Sequence, residues 1–147
     1  LEMFPTAKFV HIQRNPYDVF LSTRRTFQDI LPYRILQHDV IEDLDELLIR
    51  RYQETYQAFF EQKHIIPDHN LHEVRFEELE RDPLGQMRRL YEALALPDVA
   101  EVEPALLSYI QSLSGYQKSV YPELSIDLRQ RIARACRPCF EEWGYPV

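Results

Sequence analysis

The chain reads as an α/β protein that is helix-rich, with few strands, mainly parallel, flanked by helices. Three observations predict this. Two short runs rich in β-branched and aromatic residues, about 8–13 and Leu71–Phe76, are each followed at once by a helix-start pattern. Long stretches between and after them carry apolar residues at helical spacing. A strand that feeds directly into a helix is the unit from which parallel sheets are built. At 147 residues with 45% hydrophobic content, the chain (1–147) has the size and apolar mass of a single domain with a real core.

The elements follow in order. Phe4–Thr6 reads as an entry turn before the first strand, whose Phe9, Val10 and Ile12 have the apolar content of a buried strand. The strand ends at Arg14. Asn15 is a favoured N-cap, and Pro16 at the first helical position surrenders a donor the helix could not use. A helix start presents free N–H groups and the positive end of its dipole, so it attracts anions. Arg14 stands beside it with a planar fork suited to phosphate, and Ser22 lies eight positions on. Asn15 and Ser22 are seven residues apart and share a helix face. One phosphate could touch both Arg14 and Ser22. The same local pattern also arises where an arginine merely caps a carboxylate and the serine is solvated.

The first helix is predicted over about 16–29, stopping before Pro32, with residues 30–38 as a connection. Asp39 with Glu42 resembles a capping box opening a long helix at about 40–63. Its stripe of Leu44, Leu47, Leu48, Arg51, Tyr52, Thr55, Tyr56 and Phe59 reads as core. Its aromatic end is also suited to lining a ligand pocket. Pro67–Asn70 is a turn before the second strand, and Glu77 and Glu78 begin a short helical turn. Asp82-Pro83 repeats the cap-plus-proline device and opens a helix over about 83–95, with Met87, Leu90, Tyr91 and Leu94 inward. Another helix fills about 101–113. Gly115–Pro122 is a loop, and Ser125 caps a final helix reaching Trp143, kinked at Pro138.

Composition excludes several functions. A net charge of −7 opposes general nucleic-acid binding, which needs a basic face, although a few placed cations suffice for one nucleotide. No run of eighteen apolar residues is present, so the chain shows no membrane segment. The five histidines (11, 38, 64, 69 and 72) have no metal-ligand spacing, and no second cysteine pair accompanies Cys136 and Cys139, so no metal is expected. Cys136-Arg-Pro-Cys139 has the spacing of a thioredoxin-type redox pair. Such pairs start a helix directly after a strand, whereas 126–135 reads as helix, which favours free thiols packed in a helix. His11 reads as a satisfied core or sheet-edge histidine. The acids at 42, 43, 45 and 46 read as a solvated face.

AKFVHIQRNPYDVFLS resembles the 3′-phosphate-binding element of sulfotransferases that use 3′-phosphoadenosine 5′-phosphosulfate (PAPS). HEVRFEELERDPLGQMRRLYEALALP is similar to that family's later strand-and-helix unit, and the tail ending in EEWGYP to its terminal segment. The three blocks stand in family order across nearly the whole chain. The resemblance implies a P-loop-type sulfotransferase fold, of which this chain is the helix-rich C-terminal portion, a single partial domain. No Gly-rich phosphate loop is present, since the three glycines are Gly85, Gly115 and Gly144.

The resemblance further implies sulfuryl transfer from PAPS to a hydroxyl or amine acceptor. Arg14 and Ser22 would hold the 3′-phosphate, with Lys118, Tyr116 and Ser119 of the loop adding to the nucleotide site. Phe76 stands where many relatives place a tyrosine. The base would lie outside this chain, which would be inactive alone. The expected partners are the nucleotide co-substrate and an unidentified acceptor, with homo-oligomerisation open through an exposed sheet edge. The location implied is cytoplasmic, or the Golgi lumen if an N-terminal anchor is missing. The competing readings are a non-catalytic helical interaction module with the same fold, and a thioredoxin-like protein acting through Cys136 and Cys139.

Overall fold

In a computed structural model, residues 3–34 and 43–147 are described. Phe9–Gln13 (β1) and Leu71–Arg75 (β2) pair in parallel, Phe9 opposite Leu71 and Gln13 opposite Arg75. The sheet agrees with the expected strand direction. Its first strand is not buried on both faces: Val10 and Ile12 are 44% and 48% exposed, while Phe9, His11 and Gln13 turn inward. Apolar content alone could not separate a two-sided from a one-sided strand, because that depends on what the rest of the fold lays over it. Lys8 ties the strand starts together, donating to the carbonyl of His69 (3.2 Å) and to Oδ1 of the buried Asn70 (2.6 Å).

The helices are Pro16–Arg34 (α1), Leu44–Gln62 (α2), Phe76–Arg81 (α3), Pro83–Ala93 (α4), Glu103–Ser112 (α5), Ile126–Ala135 (α6) and Arg137–Trp143 (α7). Three boundaries depart from expectation. α1 runs through Pro32 to Arg34, so 30–34 is helix rather than connection. A proline removes one intrahelical bond and crowds the carbonyl four residues back, but its φ is helical, and near a helix end that loss is tolerated. β2 stops at Arg75, and Phe76 already belongs to α3. The final helix is two helices, broken at Cys136, with Pro138 in the first turn of α7 where a missing N–H is harmless. The Asp39–Glu42 capping box lies outside the described residues. Among the described residues Asp43 caps α2, its Oδ1 accepting from the Glu46 amide at 2.9 Å.

The remaining caps hold as read. Asn15 Oδ1 accepts from the Tyr17 amide (3.0 Å), Asp82 Oδ1 from Gly85 (3.0 Å) and Ser125 Oγ from Leu128 (3.2 Å). α4 closes with a tight double bond, Ala95 to Glu92 and Leu96 to Tyr91, which puts Ala95 at φ 49 in the left-handed region. α7 ends the same way on Gly144 (φ 65), with the Tyr145 amide bonding the Phe140 carbonyl at 3.1 Å. A methyl group at Gly144 would meet no atom within 4 Å, so the cost of Gly144→Ala is conformational alone. We expect urea denaturation to show it less stable by about 1–2 kcal/mol, the penalty for a left-handed L-residue.

The chain divides into two compact units. A strand unit comprises Leu1–Arg14 and Gln62–Ser119, and a helical unit comprises Asn15–Glu61 and Val120–Val147. In the strand unit the parallel pair is joined by α3, α4 and α5. Val74 and Leu94 are buried, Gln86 bonds Glu78 (3.2 Å), and Arg88 forks onto Glu103 (3.2 and 2.5 Å). In the helical unit Tyr17 and Phe20 of α1, Leu48 and Ile49 of α2, Leu128 and Ile132 of α6, and Cys139, Phe140 and Trp143 of α7 form one core. The α2 stripe is rotated slightly from that expected, since Ile49 and Phe60 join it. Arg24–Asp45 (2.8 Å) and Arg131 with Asp43 (3.3 Å) and Glu46 (2.7 Å) tie the helices at their edges. Among the described residues no helix is long and apolar enough to cross a membrane.

Candidate functional site

The carboxyl ends of β1 and β2 lie side by side, because Gln13 and Arg75 are register partners. The next residue on each chain is Arg14 and Phe76. The Arg14 guanidinium carbon sits 4.4 Å from the centre of the Phe76 ring, a cation–π stack that orients the fork. In open parallel sheets this end of the strands is where ligands bind, since helix starts and backbone amides collect there. Phe76 offers a face but no hydroxyl, so it can align Arg14 without itself donating to a ligand.

The other face of the same two strands carries a polar cluster that residue-by-residue reading missed. Register places His11 opposite Glu73, with His11 Nδ1 3.0 Å from Glu73 Oε1, Gln13 Nε2 at 3.2 Å and Lys63 at 3.9 Å from the second oxygen. His11 was legible as a satisfied strand histidine. Its partner was not, because only strand pairing brings residues 62 positions apart together. Burial pushes the Glu73 carboxyl up, but the bonds from His11 and Gln13 and the charge of Lys63 outweigh it and hold the group below its ordinary 4.5.

A carboxyl lowered on folding stabilises above its unfolded value, and that stability is lost as pH falls through the folded value. The window therefore opens below about pH 4.5. We expect Glu73→Gln to flatten the decline of the denaturation midpoint in that range, measured by urea titration between pH 3 and 6.

The loop residues lie at the surface. Tyr116 and Ser119 are exposed, and Lys118 is paired with Glu80 on α3. Both partners are on the surface, where such pairs are weak and easily exchanged. Ser22 belongs to the helical unit, half-buried on α1, and its carbonyl accepts from the Thr26 hydroxyl at 3.0 Å. Arg14, Tyr116, Lys118 and Ser119 belong to the strand unit.

The cysteines do not suit redox chemistry. Both are free and buried, Cys136 between α6 and α7 and Cys139 in the first turn of α7, so they sit at a helix junction rather than within one helix. Burial pushes the Cys136 thiol to about 12 and the Cys139 thiol to about 11. A redox nucleophile needs the opposite shift. Among the described residues no group of acids, histidines and cysteines could hold a metal ion.

A family profile described as "Sulfotransferase family" matches residues 1–101. Over 145 residues the chain is 32% identical to the omega-hydroxy-beta-dihydromenaquinone-9 sulfotransferase Stf3 of Mycobacterium bovis. It is equally similar to the Mycobacterium tuberculosis protein of that name. The match covers 99% of this chain and 37% of each relative, so the chain spans little more than a third of the length of the curated relatives it matches. No solved structure matches it.

Proposed function

Because the chain belongs to the sulfotransferase family, we propose that it supplies the 3′-phosphate-binding part of an enzyme that moves a sulfuryl group from PAPS to an acceptor hydroxyl. The observation that carries this reading is Arg14 at the carboxyl end of a parallel strand, stacked on Phe76, directly before the Asn15-Pro16 helix start. In this reading the Arg14 fork and the Ser22 hydroxyl hold one phosphate, beside the positive end of α1. Lys118 exchanges Glu80 for that phosphate, and Tyr116 and Ser119 close over the nucleotide.

The acceptor oxygen attacks sulfur in line and loses its proton to a base outside the residues named here. The bond from sulfur to the 5′-phosphate oxygen breaks, and adenosine 3′,5′-bisphosphate departs. Positioning and charge stabilisation carry such transfers. The names of the relatives specify an omega-hydroxy acceptor, which favours a hydroxyl over an amine.

Thermal shift with adenosine 3′,5′-bisphosphate tests the reading, with adenosine 5′-monophosphate as the control. A native-state ligand at 100 times its Kd stabilises by about 2.7 kcal/mol. The expected result is a shift for the bisphosphate that the monophosphate does not reproduce at equal concentration. Equal shifts would remove the 3′-phosphate site, and no shift with either nucleotide would leave a helical interaction module.

A further inference from the structure

The helical unit contains a cleft of about 510 Å³ between α2 and the α6–α7 junction. Tyr56 and Phe60 form its wall, and Cys136, Pro138 and Cys139 its floor. That floor is apolar in character, since burial keeps both thiols protonated. The charged residues that line it, Arg134 and Arg137 with Glu61 and Glu141, balance. Arg137 is bonded to Glu141 at 2.6 Å, and Arg134 is matched by Glu61, which accepts from Gln57 at 2.9 Å. A ligand carrying net charge of either sign gains little from so balanced a lining, whereas an uncharged apolar body gains burial against Tyr56, Phe60 and Pro138.

A second cleft, of about 240 Å³, lies between α1 and α2 and shares Tyr56 with the first. Its walls include Phe27, Leu48 and Tyr52 with one cation, Arg51, whose guanidinium carbon lies 5.8 Å from the centre of the Phe27 ring, and it reaches Thr23, the residue after Ser22. Apolar surface thus extends along α2 on both sides of one tyrosine, which suits a long ligand better than a compact one.

We propose that the helical unit binds an elongated, uncharged apolar chain along α2, seated on Cys136 and Cys139 and passing Tyr56, and that this chain is the body of the acceptor. Only the acceptor role rests on the sulfotransfer reading. The chain site stands on the cleft alone.

Trp143 is the only tryptophan, and its ring lies 4.8 Å from that of Tyr56, so its emission reports on the cleft. The experiment titrates hexadecanol, delivered from cyclodextrin, against palmitate and hexadecylamine, which keep the chain and change the head. Hexadecanol is expected to give a saturable change in Trp143 emission and to bind most tightly. Gln57→Phe, which fills the mouth from an exposed position, is expected to weaken it about tenfold with an unchanged melting point. Gln53→Phe is the second variant should the first unfold.

No saturable change, equal or tighter binding of either charged analogue, or unaltered binding by both folded variants would overturn the site. A change that follows protein rather than alcohol concentration would do the same, because a second copy would then fill the cleft. Hexadecanol binding without any bisphosphate response supports the chain site and removes its acceptor role. A bisphosphate response without hexadecanol binding overturns the chain site and leaves the sulfotransfer reading intact.

Discussion

Arg14→Ala is expected to weaken adenosine 3′,5′-bisphosphate about 10- to 150-fold, measured by titration calorimetry. The magnitude follows from losing a charge-assisted hydrogen-bonded pair, about 1.5–3 kcal/mol. Its cost to the fold should be smaller, about 0.5–1 kcal/mol for the lost stack on Phe76. Arg14→Lys separates charge from geometry, because an ammonium keeps the charge but not the planar fork. A lysine variant close to wild type would mean that charge alone matters. An alanine variant with unchanged affinity would sink the assignment. Adenosine 5′-monophosphate binding should move little in either variant, because the proposed contact is to the 3′-phosphate.

Phe140→Ala is expected to destabilise the chain by about 3–5 kcal/mol, the range for removing a fully buried aromatic and leaving a cavity. Phe140 is 1% exposed at the centre of the helical core. Its ring lies 4.9 Å from that of Tyr17, in the first turn of α1, and Arg129 stacks on Tyr17 at 4.2 Å. The cavity would therefore open beneath the helix start to which the phosphate is assigned. Urea denaturation should show a lower midpoint, and bisphosphate should partly restore it through linkage. Arg14→Ala should show the reverse pattern, with the midpoint nearly kept and the ligand response lost. A Phe140→Ala loss below about 1 kcal/mol would mean that the core collapses around the gap.

Much of the local structure was legible because its causes are local. Asn15, Asp82 and Ser125 were readable as caps from their side-chain oxygens and the residues that follow, and each oxygen does accept a helix amide. Pro32 misled because the rule for residues before proline is a bias, and α1 continues past it. Ala95 hid the end of α4, since a left-handed closure there lacks the glycine that announces one at Gly144. The final helix reads from sequence as one helix kinked at Pro138, because a proline marks a kink only by its own position; the backbone breaks two residues earlier, at Cys136, and Pro138 falls in the first turn of α7.

Sequence by itself determined the strand–arginine–helix order around Arg14 and the family resemblance it carries, because helix caps and strand patterns are written in neighbouring residues. Tertiary structure alone decided that Phe76 lies against Arg14, that Glu73 lies against His11, and that Cys136 and Cys139 line a cleft. Those facts depend on parallel register and on burial, and both arise between residues far apart in the chain, where no local pattern reaches.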